Sequence, residues 1–210
     1  AAQIAAAHGG SEHFAQLGTV RLVISTGGLL LASRWQGAAL RGVSVEITTH
    51  SQEISFEPFP RPGLRGTFSG DSVSFETAGG EVVAERTNPR SRMRGLRNQL
   101  HWDKLDFLYY AGCALWQMIS LPLLLADPEF VCEELDPVVS TGETWQRLAV
   151  TIPSHFHAHS PQLVLAASNE GLVRRADYTV QEAGDYVRAG DYATDYELIQ
   201  GIQEIGRAHV

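Results

Sequence analysis

Hydrophobic and polar positions along the chain change period three times. Gln3 to Ala7 is Ala-rich and ends at His8-Gly9-Gly10, the pattern of a short helix stopped by glycine. Ser11 can cap a second short helix, Glu12 to Leu17, closed by Gly18. From Thr19 the period becomes two: Val20, Leu22 and Ile24 fall on one face, which predicts a half-buried strand to Ser25. Val43, Val45 and Ile47 predict another strand. Ile54 with Phe56, Val73 with Phe75, and Val82 with Ala84 predict three more. Turn residues separate these runs at Thr49-His50-Ser51, Pro60-Arg61-Pro62-Gly63, Ser69-Gly70-Asp71 and Ala78-Gly79-Gly80. Short strands joined by tight turns pair with their sequence neighbours, so the expectation is an antiparallel meander over 19–86. Pro58, Pro60 and Pro62 cannot donate to a ladder and belong at an edge or rim.

The period is lost in Phe107 to Ala126, twenty residues without a charged side chain. By length this could cross a membrane. Pro122 near its end, Asp103, Asp106, Asp127 and Glu129 at its flanks, and strand patterns on either side argue against a transmembrane span. The segment reads as two linked helices, about Asp103 to Ile119 and Leu121 to Ala126, with Ser120 capping the second beside Pro122. One face carries Leu105, Leu108, Tyr109, Gly112, Leu115, Trp116 and Ile119, and the other Phe107, Tyr110, Ala111, Ala114 and Met118. A helix apolar on both sides has to be covered on both sides, as a curved sheet wrapped around it would do. The plainer alternative is a core helix with no ligand beside it.

Alternation resumes in Phe130 to Leu135, Thr144 to Ile152, Leu163 to Ala167, Leu172 to Val180 and Tyr186 to Leu198, a second meander. The fold class expected is α+β, mainly antiparallel β: a curved, unclosed half-barrel around a central helical segment. It is read as one domain over 1–210, with N-terminal helices 1–18, meander 19–86, an Arg-rich loop 87–102, central helices 103–127 and meander 128–210.

Composition narrows the function. The 210 residues carry 24 acidic and 16 basic side chains, a formal net charge of −8, which disfavours nucleic acid as a partner. Cys113 and Cys132 are too few for a disulfide framework. The chain begins Ala1-Ala2-Gln3, without Met and with neither the basic nor the apolar run of a secretory leader. The compartment is left between cytoplasm and cell envelope, and the oligomeric state is not legible.

Against this acidic background, Arg86, Arg90, Arg92, Arg94 and Arg97 cluster just before Trp102 and the apolar segment. Guanidinium forks suit phosphate or carboxylate oxygens. Arg92, Arg94 and Arg97 are therefore candidates for an anionic head group, and Trp102, Phe107, Tyr110 and Trp116 for the apolar part of the same molecule. The plainer reading pairs these arginines with the surplus carboxylates. His155, His157 and His159 would share one strand face and could ligate a metal, but Pro153 and Pro161 bracket them as a hairpin loop. No metal or cofactor is expected. Walker, dinucleotide, His-Glu-x-x-His, Cys-x-x-Cys and Gly-x-Ser-x-Gly motifs are all absent from the sequence, which counts against an enzyme.

In order along the chain, Ala7-His8-Gly9-Gly10, Phe56-Glu57-Pro58-Phe59-Pro60 and the Pro60 to Arg65 stretch precede Tyr109-Tyr110-Ala111-Gly112 with Trp116. Gly171-Leu172-Val173-Arg174-Arg175 follows, then Asp177-Tyr178. This arrangement resembles the bacterial outer-membrane lipoprotein carrier and sorting proteins, and more closely a set of uncharacterised bacterial proteins of that kind. The resemblance implies an unclosed β-barrel with helices plugging its open side, and a cavity between sheet and helices for acyl chains. Its motifs are turns and packing residues, so it transfers no individual binding residue. The function expected is a non-catalytic carrier of an apolar or amphipathic small molecule. A structural or interaction domain with a closed core is second, and an enzyme with a spatially assembled site third.

Overall fold

The computed structural model describes residues 1–37, 39–93 and 101–209. They form two compact units: Gly18–Ala114 with Gln181–Gly184, and Ala1–Leu17 with Leu115–Val180 and Asp185–Val210.

The first unit is a six-stranded antiparallel meander in strict sequence order. Its strands are β1 (Thr19–Ser25), β2 (Arg41–Thr48), β3 (Ile54–Glu57), β4 (Leu64–Phe68), β5 (Ser72–Thr77) and β6 (Val82–Thr87). Val43, Val45, Ile47, Ile54, Phe56, Leu64, Phe68, Val73 and Phe75 are buried on one face. The other face carries a register-aligned polar row, Arg21, Glu46, Ser55, Thr67, Ser74 and Glu85. Alternation of period two produces this split directly. β4 was not expected. Its inward positions are Leu64, Gly66 and Phe68, and the glycine interrupts the apolar signal. Pro58, Pro60 and Pro62 lie between β3 and β4, in the rim expected of residues that cannot join a ladder.

Among the described residues, three helices accompany this sheet: α3 (Leu29–Ser33), α4 (Pro89–Met93) and α5 (Lys104–Leu115). α3 lies in the β1–β2 connection and α4 inside the Arg-rich stretch, and neither was expected. α5 packs on the buried sheet face through Phe59 with Phe107 (ring centroids 5.8 Å apart) and Phe68 with Tyr109 (5.9 Å). Close approach depends on two glycines. A Cβ on Gly66 would lie 3.2 Å from the Leu108 methyls, and one on Gly112 would lie 2.2 Å from the Phe68 ring.

In the second unit the helical segment continues as a π-turn, Trp116–Ser120, and α6, Leu121–Leu124. The Leu121 N–H donates to the Trp116 carbonyl, five residues back. This corrects the expected break at Ser120. Ser120 has helical dihedrals and, among the described residues, no capping hydrogen bond, and Pro122 is absorbed near the start of α6. Proline removes one donor and crowds the carbonyl four residues back, and widening the preceding turn relieves both. Lys104–Leu124 is long and apolar enough to cross a bilayer by composition, yet 67% of its apolar window is buried in protein.

A second antiparallel sheet has the order β14-β11-β10-β9-β8-β7. Its members are β7 (Val131–Ser140), β8 (Glu143–Thr151), β9 (Gln162–Ala167), β10 (Val173–Thr179), β11 (Arg188–Thr194) and β14 (Arg207–His209). A separate hairpin joins β12 (Glu197–Ile199) and β13 (Ile202–Glu204). The strand expected over Tyr186 to Leu198 is thus divided between β11 and β12. β7 runs past the expected end at Leu135 through a register shift before Val138, where Pro137 sits. That bulge, with Glu133, Glu134 and Asp136, blunts an exposed edge. α1 (Ala2–Ala7) and α2 (Ser11–Leu17) belong to this unit, and both touch α6. The His8-Gly9-Gly10 stop is structural: the His8 carbonyl accepts from the Gln203 N–H, and buried His8 packs edge-on against Tyr196. Among the described residues, no pairing joins β1 to β6 or β7 to β14, so neither sheet closes into a barrel.

Candidate functional site

The helical segment begins with a reciprocal cap. Asp103 Oδ1 accepts from the N–H groups of Leu105 (3.0 Å) and Asp106 (2.9 Å), and Asp106 Oδ2 accepts from the Asp103 N–H (3.1 Å). This satisfies donors that a helix N-terminus leaves open. Arg86 forms a two-pronged bond to Asp103 (2.9 and 2.7 Å) and also donates to Asp106, which is 1% exposed. Arg92 Nε donates to Asp106 at 3.2 Å and its Nη2 to Asp103 at 3.4 Å. Burial pushes the Asp103 carboxyl up. The Arg86 hydrogen bond, the Asp106 backbone and the two guanidinium charges outweigh it and hold the group at about 2, against an ordinary 3.8. Burial and then the charge of Asp103 raise Asp106. Arg92, a head-group candidate, is therefore engaged by two carboxylates. Arg90 Nε donates to the Tyr109 hydroxyl at 3.3 Å. Arg94 and Arg97 lie outside the described residues.

Three of the four aromatic candidates meet in the first unit. Trp102 is fully buried, its ring 4.8 Å from that of Tyr110, and Phe107 lies 6.5 Å from Tyr110 and 5.8 Å from Phe59. Gln36 Nε2 donates to the Trp102 carbonyl (2.7 Å), and the Arg34 guanidinium stands 5.8 Å from the indole. Trp102 and Phe107 thus touch protein, while Tyr110 is half-buried. Trp116 belongs to the second unit, where it stacks on Phe156 at 4.8 Å, and Phe156 stacks on Phe130 at 5.6 Å.

Residues 153–161 form the β8–β9 connection, the hairpin loop expected from its prolines. It scatters the three histidines. His155 is exposed beside Glu129 (3.5 Å), His157 is buried, and His159 is buried and stacked on Tyr178 (5.4 Å). Among the described residues, no group of three His, Cys, Asp or Glu side chains is placed to hold a metal. Cys113 and Cys132 are both free. Burial, then the charge of Glu182, push the Cys113 thiol well up, which disfavours the thiolate a nucleophile needs.

Beyond these candidates, the half-buried positions of the helical segment from Tyr110 onward are Tyr110, Ala114, Leu115, Met118, Ile119 and Leu124, every one apolar or aromatic. Gln117 and Ser120, polar residues of the same stretch, are buried instead. Such an inversion leaves no trace in hydropathy, because a uniformly apolar run has no polar side from which to read orientation. A hollow of about 400 Å³ lies on the solvent face of the first sheet, lined by Glu46, Ser55, Arg65, Thr67, Ser74 and Glu85 among others. Its lining suits water better than an acyl chain.

No family model and no curated protein matches the chain. Among solved structures, it is similar to a DUF1329 family protein from Desulfovibrio piger, at 13% identity over 98% of this chain and 84% of that one, with a TM-score of 0.47. A protein domain named for outer membrane lipoprotein sorting, from Vibrio parahaemolyticus, gives 11%, 96%, 84% and 0.46. A LolA superfamily protein from Nitrosomonas europaea gives 8%, 95%, 84% and 0.44. The resemblance read from the sequence falls on this same group of structures.

Proposed function

We propose that the chain is a non-catalytic carrier that holds an apolar or amphipathic small molecule of the acyl-chain type in the cell envelope. One observation carries the reading. Met118 and its half-buried neighbours Leu115 and Ile119 are apolar where a packing helix would present polar side chains to solvent, in a segment whose polar residues are turned inward. Apolar surface left accessible on a central helix is stabilised by an apolar cover, and an acyl chain supplies one. Trp116, Phe156 and Phe130 provide rigid aromatic surface in the same unit. Arg86 and Arg92 act in this reading by anchoring the helix start, and an anionic head group falls to Arg94, Arg97 or none. The polar solvent face of the first sheet and the buried, thiol-bound proton of Cys113 give no support to an acyl-transfer enzyme.

The test is binding of a fluorescent fatty acid to the full chain, together with native mass spectrometry of protein purified from cells. Micromolar binding that weakens about fivefold in Met118→Gln is expected, since the substitution replaces apolar contact worth about 1 kcal/mol. A wild-type protein that carries no lipid and binds no fatty acid would leave the second reading, a closed structural domain.

A further inference from the structure

Gln117 and Ser120 are 5% and 2% exposed, and among the described residues neither Gln117 Oε1 nor Ser120 Oγ has a hydrogen-bond partner. Both lie in the π-turn, three residues apart. Pro122 accounts for the widened turn, but it does not account for two orphaned polar atoms. A serine inside a helix ordinarily returns its hydroxyl to a carbonyl one turn back, and Ser120 does not. A buried glutamine oxygen without a donor is costly, and leucine or methionine would fill the same volume at no such cost. Buried groups of this kind in a native fold call for a specific explanation. Their immediate neighbours are Trp116, stacked on Phe156, and the half-buried Leu115, Met118 and Ile119.

We infer that Gln117 and Ser120 form the polar end of the ligand site, and that they select amphiphiles carrying an O–H or N–H donor next to the acyl chain. The inference rests on the carrier reading above and specifies its ligand. Gln117 Oε1 can only accept, so its partner has to donate. Ser120 Oγ can donate or accept, so it can complete the contact from either side of the same group. A plain fatty acid in its ionised form, or a simple ester, brings acceptors alone and leaves Gln117 Oε1 as it stands. A hydroxyacyl chain or an N-acylated head group brings the missing donor beside the hydrocarbon. The chemistry shared by those two sources is a donor close to the start of an acyl chain.

The experiment is displacement of a fluorescent fatty acid from the full chain by three competitors of equal chain length: myristate, β-hydroxymyristate and N-myristoylglycine. The added hydrogen bond to Gln117 Oε1, which also satisfies a buried acceptor, predicts about tenfold tighter binding of a donor-bearing competitor than of myristate. Preference for β-hydroxymyristate alone assigns the donor to a hydroxyl, and preference for N-myristoylglycine alone assigns it to an amide. In Gln117→Met the ratio of affinities between donor-bearing competitors and myristate should shrink to near unity, and Ser120→Ala should remove part of that ratio. Equal affinity of the wild-type protein for all three competitors overturns the selection, as does a preference that survives Gln117→Met. The wild-type comparison needs no variant, so a substitution that fails to fold leaves it intact. Failure of the fluorescent fatty acid itself to bind is a separate result, and it removes the carrier reading together with this one.

Discussion

The packing of α5 on β4 can be tested at Gly112. An alanine there would place its Cβ 2.2, 2.6 and 2.7 Å from three atoms of the Phe68 ring, which is itself fully buried. Carbon atoms in contact sit roughly 3.5–4.0 Å apart, so the ring or the helix has to retreat by more than about 1 Å. Overpacking of a close-packed core costs about 1–3 kcal/mol, and three clashing atoms place this site near 3. Alanine is better than glycine in a helix interior by about 1 kcal/mol, which offsets part of the loss. The net expectation for Gly112→Ala is a destabilisation of about 2 kcal/mol, or a fall in Tm of roughly 4–8 °C for a chain of this size. The assay is thermal and urea unfolding of the variant, of Phe68→Leu and of the double variant. Removing the ring should relieve the clash, so the two substitutions should be coupled favourably by about 1 kcal/mol. A Gly112→Ala protein more stable than wild type would show that propensity alone acts there. Strict additivity with Phe68→Leu would show that the helix does not rest on that ring.

Arg86→Met leaves buried Asp106 without its principal partner. Stability should fall by about 3 kcal/mol in urea unfolding, whereas Arg21→Met, in an exposed pair with Glu46, should change it by less than about 1. Equal effects would remove the distinction between the two pairs. Asp103 titrates at about 2 when folded, against an ordinary 3.8, so its charge contributes stability above that ordinary value. The contribution is lost as pH falls through the window toward 2, and Asp103→Asn should flatten the acid limb there. Asp106 is shifted the other way: its charged form costs stability, and the cost is relieved on acidification. Asp106→Asn should therefore make the acid loss steeper, and a parallel response of the two variants would contradict the opposed shifts.

The legible parts of the fold were those where neighbouring residues report the same face. Val43, Val45 and Ile47 do so, and β2 follows; Thr19 to Ser25 is β1 to the residue. β4 escaped because Gly66, which admits Leu108, takes the place of an apolar inward residue. The end of β7 escaped because Pro137 reads as a stop, although at a bulge the ladder loses nothing by it. Of the candidate site, Phe107 and Tyr110 are one turn apart and could be paired from spacing. Trp116 and Phe156 are 40 positions apart in sequence, and only the fold of the 153–161 loop brings their rings together. The arginines were visible as a cluster. Their pairing with Asp103 and Asp106 depends on the fold, because β6 delivers Arg86 to the start of α5.

The inverted pattern in the second half of the helical segment separates packing from binding more sharply than any single substitution. Exchanging the two neighbours, Gln117→Leu with Met118→Gln, puts an apolar side chain in the buried position and a polar one in the half-exposed position. If the segment only fills a core, the exchange restores the ordinary arrangement. It removes one orphaned acceptor, worth about 1–3 kcal/mol, and has no other consequence. If the segment holds a ligand, the same protein becomes more stable and loses fatty-acid affinity, because residues held against a stability gradient are those a site requires. A rise in Tm of a few degrees with affinity unchanged would place Gln117 and Met118 outside the site. A fall in Tm would mean that Gln117 is already satisfied within the folded chain, and the inversion would then be a feature of packing alone.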